Sequence, residues 1–192
     1  MVIRGDKVTN EEGFRAVLSE QRTSASHQAA AKFMDLIGMA SGNDCQDADA
    51  DAASAYIQVI LTKLGKIVGE KLQEIWVRLP PRLQPTWWKE KYKDPVVKMR
   101  CNLYGHPLAG LYWEIWSSIV YKKAGFEPVP GWECLWHHKE LRLLLSFYVD
   151  DMKMAGKIEK QIKCGHVIQE IRHRSTMTSR NQYIYMSQTV QC

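Results

Sequence analysis

Aspartates in two short stretches of the chain have the spacing and the surroundings of a divalent-cation site. Asp47, Asp49 and Asp51 alternate in DADAD, and Asp150 and Asp151 follow the apolar run LLLSFYV. Two adjacent carboxylates in so apolar a hairpin would repel each other and protonate unless a cation lay between them. A third carboxylate from a neighbouring strand would complete a site for two Mg²⁺ ions, which prefer oxygen ligands and drive in-line phosphoryl or nucleotidyl transfer.

Two simpler interpretations of these aspartates compete with a two-metal site. DADAD supplies positions one, three and five of an EF-hand calcium loop, but that loop needs Gly at position six and Glu at position twelve. The chain has Ala52 and Gln58 there, so we reject an EF-hand. Asp150 and Asp151 taken alone fit an ordinary tight turn, because Asp is a good turn residue. Only the rest of the sequence can decide between the turn and the metal site.

The apolar periodicity predicts an α+β chain in which strands position the aspartates. We expect helices over 24–40 (with Ser24 or Ser26 as N-cap), 59–75 and 107–125, and strands over the aspartate stretch, 76–85 and 94–105. Residues 139–156 have the pattern of a β-hairpin with Asp150 and Asp151 at its tip. We expect residues 1–23 to be extended or loop, and the tail to form a helix broken at Gly165 and a short final strand.

The composition bounds the class of protein. Hydrophobic residues at 45% and charged residues at 24% are near globular averages, and the net charge of +5 suits an anionic partner such as nucleic acid without requiring one. No apolar run approaches the ~20 residues of a membrane span, and the start lacks the apolar region of a signal peptide. We therefore expect an intracellular protein, cytoplasmic or nuclear and not secreted. We also expect the tryptophans between 113 and 136 to lie mainly in its core, where large aromatic rings are most often used.

The cysteines and histidines offer a second, weaker metal site. Five cysteines are an odd number without a CxxC pair, and we interpret them as reduced thiols. Zinc ligands could come from Cys134, His137 and His138 together with Cys164 and His166, but their spacing is poor. The competing interpretation is that the two histidines lie on an exposed loop before the hairpin.

Several motifs resemble reverse transcriptases of the Ty1/copia branch of retrotransposons. DAASAY (51–56) resembles their motif A, and YVDD (148–151) resembles motif C. WVRLPP (76–81), LYGHPLAGLYWE (103–114) and GFEPVPGWECLW (125–136) resemble the intervening segments, and IRGD (3–6) resembles the end of the fingers strand. Each match alone is weak, whereas five in the correct order from about residue 2 to 156 are specific.

This resemblance implies an RNA-directed DNA polymerase with a two-metal site. Asp51, Asp150 and Asp151 would hold two Mg²⁺ ions, with Mn²⁺ as a substitute and the backbone carbonyl of Ala52 as a further ligand. Asp47 and Asp49 have no counterpart in the motif, and we expect them to be solvated. The nucleotide and template would contact Tyr56, which rejects a ribose 2′-hydroxyl, Tyr148, which lies against the primer end, and Leu103, Tyr104, Gly105 and Gly110 of motif B. Our own predictions for contacts to backbone phosphates are Arg78, Lys98 and Arg100.

The resemblance also implies the fold and the partners. We expect the α+β fold of a polymerase palm, an antiparallel sheet with helices on one face, made from roughly 56–73 and 107–124, with partial fingers and a thumb that is largely absent. Partial fingers would occupy 1–46, the palm with motifs A, B and C 47–156, and a degenerate remnant of the palm end or thumb 157–192. The partners would be an RNA or DNA template with its primer, a dNTP and other parts of a retrotransposon polyprotein, and no membrane.

The alternative is a catalytically inactive retrotransposon relic that at most binds nucleic acid. Leu108 stands where the motif B pattern usually has a glutamine. We also expect the chain to lack the upstream Arg or Lys that would grip the triphosphate, as well as a full thumb and an RNase H domain.

Overall fold

Helices and antiparallel strands make up the described part of the chain, which comprises residues 8–9, 28–40, 44–93 and 95–176 of this computed structural model. The helices are α1 (Gln28–Ala40), α2 (Leu61–Val68), α3 (Thr86–Lys91), α4 (Ala109–Lys123) and α5 (Ile158–Thr176). The strands are β1 (Cys45–Asp51), β2 (Trp76–Arg78), β3 (Val96–Lys98), β4 (Glu127–Pro128), β5 (Leu135–His138), β6 (Leu143–Tyr148) and β7 (Asp151–Lys157). Short 3₁₀ turns cover Ala55–Gln58 and Pro81–Leu83. The fold is therefore mixed α/β with antiparallel sheets.

The main sheet brings the two aspartate stretches side by side. Its strand order is β1-β7-β6-β5-β4. β6 and β7 form the predicted hairpin, in which Tyr148 pairs with Asp151. Strand β1 pairs antiparallel with β7 along its whole length, and the last pair in the register is Asp51 with Asp151. Asp150 lies in the turn of the hairpin, whereas Asp151 begins β7 and does not lie at the tip.

Helices cover both faces of this sheet, because alternate strand residues point to opposite sides. Leu145 and Phe147 of β6 belong to the core that also contains buried residues of α4 and α5. Leu144, which precedes Leu145 and points to the opposite side of the sheet, packs instead with Ala30 and Met34 of α1 in a second cluster. The prediction of helices on one face only is therefore wrong. The hairpin and β5 are apolar on both sides, so each side needs a cover.

Helix α1 confirms the helix predicted over 24–40, and it lies very close to β1. A Cβ added to Gly38 would come within 2.7 Å of the backbone nitrogen of Asp47. A larger residue at this position would separate the helix from the strand. The proposed caps, Ser24 and Ser26, lie outside the described residues, as do the predictions for residues 1–7, 10–27 and 177–192.

Helix α2 is much shorter than the helix predicted over 59–75. It ends at Val68 because Gly69 adopts a left-handed conformation with φ 75° and donates its N–H to the carbonyl of Gly65. Leu72 and Ile75 still pack against the main core without being helical. The apolar periodicity predicted which residues are buried, but the glycine decides where the helix ends.

Helices α4 and α5 pack together behind the sheet. α4 confirms the prediction over 107–125, with Gly125 just past its end at φ 92°. α5 runs continuously through Gly165, so the predicted break there is wrong. An interior glycine costs about 1 kcal/mol relative to alanine, and burial of Cys164 and Ile168 in the main core offsets that cost.

Strands β2 and β3 form a separate two-stranded sheet, which we call the ribbon. They confirm the strands predicted within 76–85 and 94–105. Val77 and Val97 pair across the ribbon and are half-buried on one face. The other face is exposed and carries Trp76, Arg78, Val96 and Lys98.

The remaining predictions for single residue types have mixed outcomes. Trp113, Trp116 and Trp136 are buried as expected, whereas Trp132 is exposed. Cys45, Cys101, Cys134 and Cys164 are free thiols, as expected for reduced cysteines, and Cys192 lies outside the described residues. Among the described helices, none combines the length and the apolar character that crossing a bilayer requires.

Candidate active site

Asp51, Asp150 and Asp151 converge at one end of the main sheet. Each offers a carboxylate oxygen, and these oxygens lie within 4.8 Å of one another. Asp51 and Asp151 are exposed and Asp150 is partly exposed. Among the described histidines, cysteines and acids, this is the only group of three or more that could share a metal ion. Three like charges at this separation repel one another, and a bound cation would relieve that repulsion.

A strained turn holds Asp150 and Asp151. Val149 has φ 56°, which is a rare conformation for a β-branched residue and costs roughly 1–3 kcal/mol. Two hydrogen bonds fix the turn from outside the hairpin. The indole N–H of Trp113 on α4 donates to the carbonyl of Val149, and the N–H of Ala52 donates to the carbonyl of Asp150 at 2.8 Å. The turn is therefore positioned by α4 and by the end of β1.

Arg172 on α5 contacts Trp113, the residue that holds the turn of Asp150 and Asp151. Its guanidinium lies 5.1 Å from the ring centroid of Trp113, in a cation–π contact. Burial lowers the pKa of Arg172, and electrostatic interactions with Tyr121 and Asp51 oppose that shift. The electrostatic attraction between the buried guanidinium and Asp51 offsets part of the negative charge of the aspartates. Sequence patterns do not indicate Trp113 or Arg172 as site residues, because no local pattern separates them from other core and tail residues.

Tyr56 and Tyr104 pack together beside the aspartates. Their ring centroids are 4.5 Å apart. Burial, and then the neighbouring Tyr104, Asp150 and Tyr148, raise the pKa of Tyr56. Burial and the charge of Asp150 raise the pKa of Tyr104, although backbone hydrogen bonds from Tyr56 and Ala55 lower it. Both phenols are therefore neutral near pH 7 and can donate hydrogen bonds to a substrate.

The other residues predicted for motif B lie between these tyrosines and α4. Leu103 is half-buried, Gly105 is exposed with φ 85°, and Gly110 is half-buried in the first turn of α4. Leu108 packs against the main core. These positions are held by Asn102, which is buried, accepts the N–H of Leu103 and donates to the carbonyl of Ala109.

Tyr148 and the α1 side of the sheet form an open cavity at the aspartates. Tyr148 is 55% exposed at the end of β6. The cavity has a volume of about 490 Å³ and reaches from Ala31 on α1 to the aspartate pair of β1 and β7. Its charged lining consists of Asp49, Asp51, Asp151 and Lys153. A ligand with both anionic groups and bound cations would match this lining.

Asp47 is not solvated as predicted, whereas Asp49 is. The Lys153 ammonium lies 3.0 Å from an Asp47 carboxylate oxygen and also pairs with Asp35 of α1. The hydrogen bond from Lys153 lowers the pKa of Asp47. Burial lowers the pKa of Lys153, but the bonds to Asp35 and Asp47 outweigh burial and leave that pKa raised. Asp49 is 77% exposed and 3.9 Å from Lys153. DADAD therefore divides into one residue of the cluster, one residue that ties β1 to α1, and one solvated residue.

The residues predicted for phosphate contacts and for zinc lie elsewhere. Arg78 and Lys98 share the exposed face of the ribbon, and Arg100 follows β3 and is exposed. The five proposed zinc ligands are all described and do not form a metal-binding group. His137 and His138 belong to β5 and are half-buried, so the prediction of an exposed loop is wrong.

Comparison with known proteins finds similarity to retrotransposon polyproteins. The Ty1-MR1 and Ty1-BL transposon Gag-Pol polyproteins and the truncated Ty1-A transposon Gag-Pol polyprotein, all of Saccharomyces cerevisiae, are each 26% identical over 138 residues, which is 71% of this chain. This similarity supports a Ty1/copia retrotransposon origin. The chain spans 7% of the first two polyproteins and 10% of the truncated one. No protein-family model and no solved structure matches it.

Proposed function

We propose that the chain carries the polymerase site of a copia-type reverse transcriptase, which extends a primer on an RNA template. The convergence of Asp51, Asp150 and Asp151 carries this proposal, because Asp51 lies far from the adjacent Asp150 and Asp151 in the sequence and the fold joins the three carboxylates within 4.8 Å. The similarity to Ty1 Gag-Pol polyproteins supports a retrotransposon origin, which agrees with this proposal. The primer 3′-hydroxyl would attack the α-phosphate of a dNTP and displace pyrophosphate, with no covalent enzyme intermediate.

The three aspartates fit hard divalent cations. Their ligand atoms are all carboxylate oxygens, and two of the residues are exposed, so water and substrate phosphates could complete the coordination. When bound, two Mg²⁺ ions would activate the 3′-hydroxyl and stabilise the leaving oxygen. The ligand role of the Ala52 carbonyl stays a prediction.

The tyrosines would select deoxynucleotides over ribonucleotides. We expect the ring of Tyr56, fixed against Tyr104, to lie beneath the sugar and to exclude a 2′-hydroxyl. Replacement Tyr56→Ala would remove that barrier and raise the use of ribonucleotides relative to deoxynucleotides. A ribonucleotide preference equal to wild type, in a variant that still extends primers, would contradict this role.

A second candidate is an inactive relic that binds nucleic acid without extending it. Leu108 favours this candidate, because its side chain packs into the core and offers no polar contact to a nucleotide.

Primer extension on an RNA template with Mg²⁺ separates the two candidates. The wild-type chain is compared with the Asp150→Asn, Asp151→Asn double variant and with Asp49→Asn, which neutralises a nearby exposed aspartate outside the cluster. The proposal predicts extension by wild type and Asp49→Asn and loss of at least about 100-fold in the double variant. A folded wild-type chain that binds the template and extends nothing would be the relic.

A further inference from the structure

The positive charge of the chain is concentrated in one segment. Residues 61–100 contain ten lysines and arginines and four acids, for a net charge of +6, whereas the whole chain carries +5. The remaining residues are therefore slightly acidic. The segment includes α2, the ribbon and α3, and it lies outside the five-stranded sheet.

The exposed face of the ribbon combines an aromatic ring with cations. Trp76 is 57% exposed and pairs across the ribbon with Lys98, while Arg78 pairs with Val96, which is 46% exposed. All four side chains share one face, because they alternate with the half-buried Val77 and Val97. An aromatic ring among cations is the surface on which single-stranded nucleic acid binds, through base stacking and phosphate contacts.

An acidic side chain, Glu74, also lies beside this face and competes for one of its cations. Glu74 pairs with Lys98 at 2.5 Å, and hydrogen bonding to Lys98 lowers the pKa of Glu74. Both side chains are 44% exposed. Ion pairs this exposed contribute little to stability, so a phosphate can replace Glu74 as the partner of Lys98.

Backbone hydrogen bonds connect the ribbon to the aspartate site. The N–H of Met99 donates to the carbonyl of Ile75 at 2.8 Å, and the N–H of Leu61 donates to the carbonyl of Arg100 at 3.0 Å. The N–H of Asn102 then donates to the carbonyl of Val59 at 2.8 Å. The residues after β3 therefore lie beside residues 59–61, which follow motif A. Tyr104, which packs beside the aspartates, is only six residues beyond Lys98, the last residue of β3.

We infer that the exposed ribbon face, Trp76, Arg78, Val96 and Lys98, binds the unpaired template strand. Trp76 stacks on a template base, and Arg78 and Lys98 contact the flanking phosphates. This inference rests on the proposed function for the identity of the strand. It adds a binding surface outside the aspartate site and explains why a tryptophan is left exposed on a basic ribbon.

Fluorescence anisotropy on the full chain tests the inference. The probes are a DNA primer on an RNA template with a single-stranded 5′ overhang of about ten nucleotides, and the same duplex with blunt ends. Trp76→Ala is expected to weaken binding of the overhang substrate by about 5- to 100-fold and to leave blunt-duplex binding unchanged. Trp76→Phe, which keeps a stacking ring, is expected to restore most of the affinity. Arg78→Gln is expected to reduce the salt slope of overhang binding by about 1.

Trp132→Ala is the matched control, because Trp132 is exposed but lies outside the basic segment. Wild-type affinity of Trp76→Ala for the overhang substrate, or an equal loss on both substrates, overturns the inference. A surface for a protein partner would give the first of these results. Binding does not require turnover, so an overhang-specific loss in a chain that extends no primer would refute the proposed function and uphold the ribbon face as a binding surface for a single strand.

Discussion

The main sheet and the ribbon differ in burial and in charge. The sheet has helices on both faces, and its aspartates are fixed by contacts to β1 and α4. The ribbon has one half-buried face and one exposed face, and it belongs to the basic segment. A site that must hold like charges at a fixed separation needs rigid support. A surface that must bind a nucleic-acid strand of any base sequence needs only positive charge and rings on which bases stack. Substitutions in the sheet should therefore change chemistry and stability, and those in the ribbon should change binding alone.

The largest expected effect is on activity at the aspartate cluster. Asp151→Asn should reduce primer extension by at least about 100-fold, and it should raise the thermal midpoint in metal-free buffer because it removes one of three mutually repelling charges. Extension assays and thermal melts of the same samples check both halves. A thermal midpoint of Asp151→Asn below that of the wild type in metal-free buffer would show that repulsion among the three carboxylates does not destabilise the fold.

Trp113→Phe should lower the free energy of unfolding more than the corresponding substitution in the ribbon. Phenylalanine retains a ring beneath Arg172 but loses the N–H that the carbonyl of Val149 accepts. The expected loss is about 1–3 kcal/mol in the free energy of unfolding. Denaturant titration measures it, with Trp76→Phe on the ribbon as the control, for which a change below about 0.5 kcal/mol is expected. Equal losses at the two tryptophans would remove the contrast between sheet and ribbon.

His106 should make stability depend on pH. It is buried and stacked on Tyr112, its Nδ1 accepts the N–H of Leu108, and burial lowers its pKa from 6.5. The folded state therefore binds a proton less readily than the unfolded state does. The contribution of neutral His106 is present above pH 6.5 and is lost as the pH falls from there towards the lowered pKa. Melts from pH 7.5 to 5 should fall more steeply for wild type than for His106→Gln, and parallel curves would contradict the assignment.

Lys153→Met should have a smaller effect that depends on salt. The substitution leaves Asp35 and Asp47 without their shared cation, and it should cost about 0.5–1 kcal/mol because the pairs are partly exposed. High salt should reduce the difference from wild type by screening the charges. Unfolding at low and high ionic strength measures the effect. A difference that does not change with salt would mean that packing of the lysine stem, and not its charge, holds α1 on β1.

The order of the motifs was enough to predict where the strands lie and which aspartates could meet. Asp51, Asp150 and Asp151 follow from local patterns, and the fold joins them. The amphipathic pattern of α1 shows that one face is buried but not which surface covers it, so the second helical layer was missed. Continuity of α5 through Gly165 depends on tertiary contacts that outweigh local propensity. Arg172 and Trp113 meet across two helices, and no local spacing predicts such a contact.

Titration with Mn²⁺, followed by electron paramagnetic resonance of the free ion, tests most directly whether the three aspartates form one divalent-cation site. If the three aspartates form one site, the wild type and Asp49→Asn bind Mn²⁺ alike, and Asp51→Asn and Asp151→Asn each bind it at least about tenfold more weakly. This result does not depend on turnover. Equal binding by all four proteins would rule out this site, because the carboxylates that the fold brings together would then hold no ion.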